Sequence, residues 1–206
     1  MKIQIMGHDE AVMYRPKEKT GIIRLFDSDA ILGNSEVRNA PLLYDELFDF
    51  VCTLVVDDLH SSAEEDYPGS VCFSSKEAKC LLEAFEELRQ LDEVIVHCRA
   101  GVSRSAAVGI LFARYLKRLD LECSIYLNHH IFPNRHILSF QDEMGIERWD
   151  SHHEELMEQL FQQKIEGNEQ EVRQTVKQLG FEWEELLWNQ QLNGTTEHHP
   201  SWQIRF

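Results

Sequence analysis

The sequence predicts an α/β fold: a central, mostly parallel sheet flanked by helices, with an anion-holding loop between one strand and the next helix and a helical extension at the C-terminal end. Three observations predict it. Residues 50–56, 74–90 and 93–97 read in turn as strand, helix and strand, the order of a βαβ unit whose strands run parallel. The run Val94-Ile95-Val96 then ends at His97-Cys98, passes through a short loop and enters a helix near Ser103 to Ser105. Beyond about residue 150 the pattern becomes helical only.

Each element has its own justification. Residues 2–6 and 21–26 are short apolar runs separated by a polar connection containing Pro16, and they read as two strands. Residues 27–41 carry turn formers and receive no assignment. Phe50 to Val56 is β-branched and almost continuous, the pattern of a strand buried on both faces, and it ends at Asp57-Asp58. The polar stretch from His60 to Ser70, with Glu64, Glu65 and Asp66, reads as a movable or substrate-facing loop. Ser74 with Glu77 forms a capping box ahead of an apolar face made by Ala78, Leu81, Leu82, Phe85 and Leu88. Ser105 to Leu119 is an apolar helix rich in small residues, which lets it lie close to the sheet. Further helical spacing appears at 122–131 and 137–146. The extension, 151–206, carries helices near 152–166, 169–179 and 182–192, started by Ser151 with Glu154 and by Asn168 with Glu171, and stopped by Gly167, Gly180 and Gly194. The expected division is a catalytic domain over 1–150 and an acidic helical extension over 151–206, packed on the domain or serving as a protein-docking surface.

Composition narrows the function. The chain has 206 residues, 43% of them hydrophobic, enough for a core. Its formal net charge of −16 argues against nucleic acid and anionic membranes as partners. Five cysteines without a secretory signal point to reduced thiols and a cytoplasmic setting, and no run approaches the roughly eighteen apolar residues of a membrane span. Cys52, Cys72, Cys80 and Cys123 read as packing residues. His129-His130 and His152-His153 lack a third ligand at suitable spacing, so no metal is expected. Trp183 and Trp188 read as core or docking residues.

The chemistry concentrates at one loop. Parallel sheets bind ligands beyond the carboxyl ends of their strands, and both Asp57-Asp58 and His97-Cys98 fall at such ends, predicted as neighbours on one rim. Backbone N–H groups from Arg99, Ala100, Gly101, Val102 and Ser103, backed by a helix N-terminus, can cradle a phosphate-like dianion. Gly101 allows the tight turn. Those dipoles and the Arg104 guanidinium favour a thiolate at Cys98, and the planar fork of Arg104 matches two phosphoryl oxygens. Ser105 is placed to donate to the sulfur as it leaves, and His97 to hold the loop and tune the sulfur. Arg99 adds charge and reads as a solvent-facing loop residue. Adjacent strand residues point to opposite faces, so Asp57 and Asp58 cannot both aim into the pocket.

His97-Cys98-Arg99-Ala100-Gly101-Val102-Ser103-Arg104-Ser105 resembles the His-Cys-x-x-Gly-x-x-Arg-Ser/Thr signature of cysteine-dependent protein tyrosine phosphatases, with wording closest to the dual-specificity branch of bacterial type. The resemblance spans roughly residues 20–147 and includes Pro133-Asn134, similar to the Pro-Asn that opens a late helix in that branch. It implies a two-step reaction through a phosphocysteine at Cys98, with an aspartate as proton donor and then base, and no metal or other cofactor. It favours Asp58, which precedes Leu59, over Asp57. The implied substrate is a phosphorylated protein or a small phosphomonoester. A Trp-Pro-Asp acid loop, a pocket-deepening recognition loop and the extra lysines expected for phosphoinositides are absent. Two other classes share such a loop: a catalytically inactive phospho-ligand-binding module, and thiol chemistry on another oxyanion such as arsenate.

Overall fold

A computed structural model describes residues 1–32, 40–59, 68–127 and 131–186. Residues 60–67 of the expected loop at 60–70, His129-His130, residues 187–192 of the expected last helix with Trp188, and Gly194 lie outside the described residues. Four strands, β1 (Lys2–Met6), β2 (Thr20–Phe26), β3 (Phe50–Val55) and β4 (Glu93–His97), form one all-parallel sheet in the order β1-β4-β2-β3. The helices are α1 (His8–Met13), α2 (Asp29–Leu32), α3 (Ser75–Leu88), α4 (Arg104–Tyr115), α5 (Leu119–Tyr126), α6 (Arg135–Ser139), α7 (Ser151–Glu166) and α8 (Glu169–Gln178).

The two central strands are the buried ones. Every residue of β2 and of β4 is buried, and Ile23, Leu25, Val94 and Val96 face α3 and α4 in the main core. The opposite face, carrying Ile22, Ile95 and Met6, is covered by Ala11 of α1 and by Leu42. At its lower end Gln4 Nε2, Tyr14 Oη and Thr20 Oγ1 all donate to the buried Glu93 carboxylate.

Helix α4 lies deepest, with every residue from Arg104 to Arg114 buried. Its small residues permit this: a Cβ on Gly109 would stand 2.6 Å from the Ile5 side chain of β1. Helix α3 begins with the expected capping box, Ser74 and Glu77 bonding reciprocally.

Four expectations change. The 50–56 run is the edge strand β3, with Val51 and Val55 exposed, because among the described residues it pairs with β2 alone, and burial alternates along it with α3 packed against it. Strand β2 lies between β3 and β4, so the two rim pairs are separated by one strand. The polar connection after β1 contains α1, whose six residues bury only Ala11 and so carry almost no periodic signal. Helix α7 is capped by Asp150, which accepts from His153 N–H at 3.0 Å, one residue before the expected Ser151.

The C-terminal helices pack on α5. Leu156, Met157 and Leu160 of α7 and Val172 and Val176 of α8 share an apolar cluster with Cys123, Leu127, Trp183 and Leu186. Gly167 ends α7 in the left-handed conformation, as its position predicts. Among the described residues no helix is long and apolar enough to cross a membrane.

Candidate active site

The site grows from the exit of β4. Cys98, only 2% exposed, follows the last strand residue, and the chain bends through residues 99–103 before α4 starts at Arg104. The underside of the loop rests on the β1–α1 junction. Gly101 has φ +71°, and a Cβ there would stand 2.6 Å from both Gly7 N and Met6 C. His8 N–H also donates to the Arg99 carbonyl at 3.1 Å. The outer side is tied to the segment before α6, since Phe132 N–H donates to the Val102 carbonyl at 3.0 Å and Asn134 N–H to that of Ser103 at 3.2 Å. Three loop carbonyls are thereby turned outward. Replacing Gly101 with alanine combines a left-handed backbone with a backbone clash, so the variant is expected to lose about 2 kcal/mol or more of stability. A thermal melt checks this.

Around the sulfur, the Ser105 hydroxyl lies 3.2 Å from Cys98 Sγ, and both residues are buried. Burial pushes the Cys98 thiol up, but the Ser105 hydroxyl and N–H, the Arg104 charge and the Val102 N–H outweigh it, so the group ionises below the ordinary thiol value.

Arg104 is held by one edge. Its Nη1 donates to the Val56 carbonyl and pairs with Asp27 Oδ1, each at 2.6 Å, with both side chains almost fully buried. Its Nε is buried and has no partner among the described residues. A buried guanidinium N–H left open in this way can receive an oxyanion.

Asp57 and Asp58 part as strand alternation requires. Asp57, 2% exposed, accepts from Ser28 N–H and Val71 N–H at 2.6 Å each, and joins the ends of two loops. Asp58 is exposed and faces the loop, where Ser103 Oγ and Asn134 Nδ2 each donate to its Oδ1 at 2.7 Å. Asn134 also donates to the Leu59 carbonyl at 3.1 Å and caps α6.

These groups enclose a cavity of about 660 Å³, lined by Cys98, Arg99, Ala100, Val102, Ser103 and Arg104 on the loop side and by Asp27, Ile31, Asp58 and Leu59 opposite. Two of the expected residues stand elsewhere. Gly101 turns toward the β1–α1 junction, and His97, fully buried, lies behind the loop on the α1 side of the sheet. Burial and the Arg24 charge push the His97 imidazole down to about 4, so it is neutral at ordinary pH.

Sequence reasoning assigned no role to Asp27, Arg24 or Asn134. For Asp27 a signal existed, because it stands at the carboxyl end of β2, on the same rim as Asp58 and Cys98. Among the described residues no group of three or more His, Cys, Asp or Glu could hold a metal ion.

No known sequence family and no curated protein matches the chain. Among solved structures, it is similar to the human tyrosine phosphatase-like serine/threonine/tyrosine-interacting protein, with 21% sequence identity and a TM-score of 0.43. That match covers 62% of this chain and 76% of the other.

Proposed function

We propose that this protein is a phosphomonoester hydrolase that works through a phosphocysteine at Cys98, acting on phosphotyrosine or phosphoserine/threonine in a protein or on a small phosphomonoester. The observation that carries the reading is a stabilised thiolate position beside an arginine whose Nη1 is anchored and whose Nε is open. A loop that only held a phosphorylated ligand would need the arginine and the N–H groups; the thiol–hydroxyl pair and a carboxylate across the cavity add the parts that chemistry requires.

In the first step the Cys98 thiolate attacks phosphorus and the ester P–O bond breaks, while Asp58 gives its proton to the departing oxygen. The Nε edge of Arg104 and the loop N–H groups receive the charge on the equatorial oxygens. In the second step Asp58, now a carboxylate, takes a proton from water as the water oxygen bonds to phosphorus. The S–P bond breaks, and the Ser105 hydroxyl donates to the leaving thiolate, giving inorganic phosphate. Asn134 and Ser103 hold Oδ1 of Asp58, so Oδ2 is the oxygen assigned to carry the proton. Asp27 serves by anchoring Arg104 and Asp57 by holding the loops.

The wild-type chain is expected to release phosphate from an aryl phosphate and, after an acid quench during turnover, to carry a phosphoryl group on Cys98 by peptide mass spectrometry. No release by the wild type overturns the reading. Because the general acid must be protonated, kcat/KM should fall on the alkaline side of its pH profile. Asp58→Asn is expected to lower kcat about 10²- to 10³-fold and to abolish that alkaline fall. If Asp57→Asn abolishes the fall and Asp58→Asn keeps it, the acid is Asp57.

A further inference from the structure

Behind the loop stands a buried arginine that no step above uses. Arg24 of β2 is paired in register with His97 of β4 and is 8% exposed. Its Nε–H donates to His97 Nε2 at 3.3 Å and its Nη2 to the Ala40 carbonyl at 2.6 Å, while the guanidinium lies 4.7 Å from the centroid of the Phe26 ring. Burial draws its pKa down, with Asp45 opposing at longer range, and no carboxylate among the described residues is within ion-pair distance of it. A guanidinium in the middle of a fully buried strand is costly to desolvate, and an apolar residue there would pack at lower cost.

The contact has a chemical consequence. Arginine Nε always carries hydrogen, so His97 Nε2 must offer its lone pair and the ring hydrogen must sit on Nδ1. Nδ1 is buried, has no hydrogen bond of good geometry among the described residues, and lies against the Cys98 backbone. Protonating the ring would set one donor against another. The other groups facing the imidazole agree: His8 of α1 lies 6.1 Å away between ring centroids, Phe26 of β2 lies 5.7 Å away, and Arg104 of α4 adds a second positive charge.

We propose that Arg24 is a positioning residue for the loop cysteine: its Nε–H locks His97 as the neutral Nδ1–H tautomer at the start of the loop, and its charge adds to the field that keeps Cys98 a thiolate. The second half rests on Cys98 being the nucleophile proposed above; the first half does not. Arg24 touches neither the cavity nor the sulfur, and acts only through His97 and through space.

The test uses the full chain labelled with ¹⁵N at histidine, together with the pH dependence of Cys98 alkylation by iodoacetamide, with Cys98→Ser as the blank. In the wild type, His97 is expected to show a protonated Nδ1 and a bare Nε2, unchanged down to about pH 5, consistent with its low pKa. In Arg24→Met the Nε2-protonated form should appear and the alkylation midpoint should rise by about one pH unit, the order expected when one buried charge near an ionising group is removed. Arg24→Lys, which keeps a charge and a donor, should restore most of both. A folded Arg24→Met chain, checked by circular dichroism, whose His97 keeps the wild-type tautomer overturns the proposal, even if phosphate release is lost. If Arg24→Met does not fold, Arg24→Lys with both readouts at wild-type values supports the proposal, and a changed tautomer with an unmoved cysteine midpoint overturns it. A wild type that releases no phosphate while His97 is locked as Nδ1–H refutes the hydrolase reading and leaves the tautomer assignment standing.

Discussion

Cys98→Ser is expected to abolish phosphate release from an aryl phosphate, a loss of about 10⁴-fold or more, with little change in thermal stability. The reasons are local. The sulfur is buried, and its ionisation is favoured by groups that fit a thiolate: the Ser105 hydroxyl at 3.2 Å, the Val102 and Ser105 N–H groups and the Arg104 charge. The same field acting on an alkyl hydroxyl cannot bring it near ionisation at neutral pH, so the nucleophile disappears while the cradle remains. Serine is nearly isosteric and can keep the bond to Ser105. The variant should therefore still bind inorganic phosphate within a few-fold of wild type, measured by isothermal titration, because Arg104 stays anchored by Asp27 and the Val56 carbonyl. Retained turnover would exclude a phosphocysteine. Lost phosphate binding together with lost turnover would mean that the sulfur shapes the loop and does not merely react.

What was legible in the sequence was what short segments encode by themselves. The loop from His97 to Ser105 fixes its residue types within nine positions, and the capping box at Ser74 and the stops at Gly167 and Gly180 depend only on local backbone conformation. What was not legible needed a partner distant in sequence. Phe50 to Val56 looks like a doubly buried strand because β-branched runs favour pleated backbone whether or not a second layer covers them, and only the strand order makes β3 an edge. Arg24 interrupts the apolar run Gly21 to Phe26, and an arginine there raises the question of what it bonds in the core, but nothing near it names His97. Asn134 was visible as part of a Pro-Asn pair that starts a helix; its grip on Asp58, 76 residues away in the chain, exists only after folding.

The same limit applies to the contact expected to carry the largest stability effect. Arg114, near the end of α4, sends Nε and Nη2 to the fully buried Glu122 carboxylate of α5 at 2.7–3.0 Å, Nη1 to Gln141 Oε1 at 2.6 Å, and pairs with Glu154 of α7 at 3.1 Å. Trp149 Nε1 adds a fourth direction, donating to Glu122 at 2.6 Å. This network joins the sheet-covering helix to the first turn of the C-terminal helices. Arg114→Met is expected to cost about 3–5 kcal/mol, because among the described residues it leaves Glu122 buried with the Trp149 indole as its one side-chain donor. At roughly 2–4 °C per kcal/mol for a chain of this size, the melting temperature should drop by about 10 °C. The loss has a defined pH dependence. Burial already holds the Glu122 carboxyl above the usual carboxylate range, with Arg114 opposing. Removing Arg114 raises the folded-state pKa further above the unfolded value, so the folded variant binds the extra proton and loses stability as pH rises. The deficit relative to wild type should therefore be smaller at pH 5 than at pH 8. Arg114→Met combined with Glu122→Leu should recover most of the lost stability, since the uncompensated charge goes with its partner. Equal deficits for the single and double variants, flat across pH, would show that the arginine acts by packing its stem and not by pairing with the buried acid.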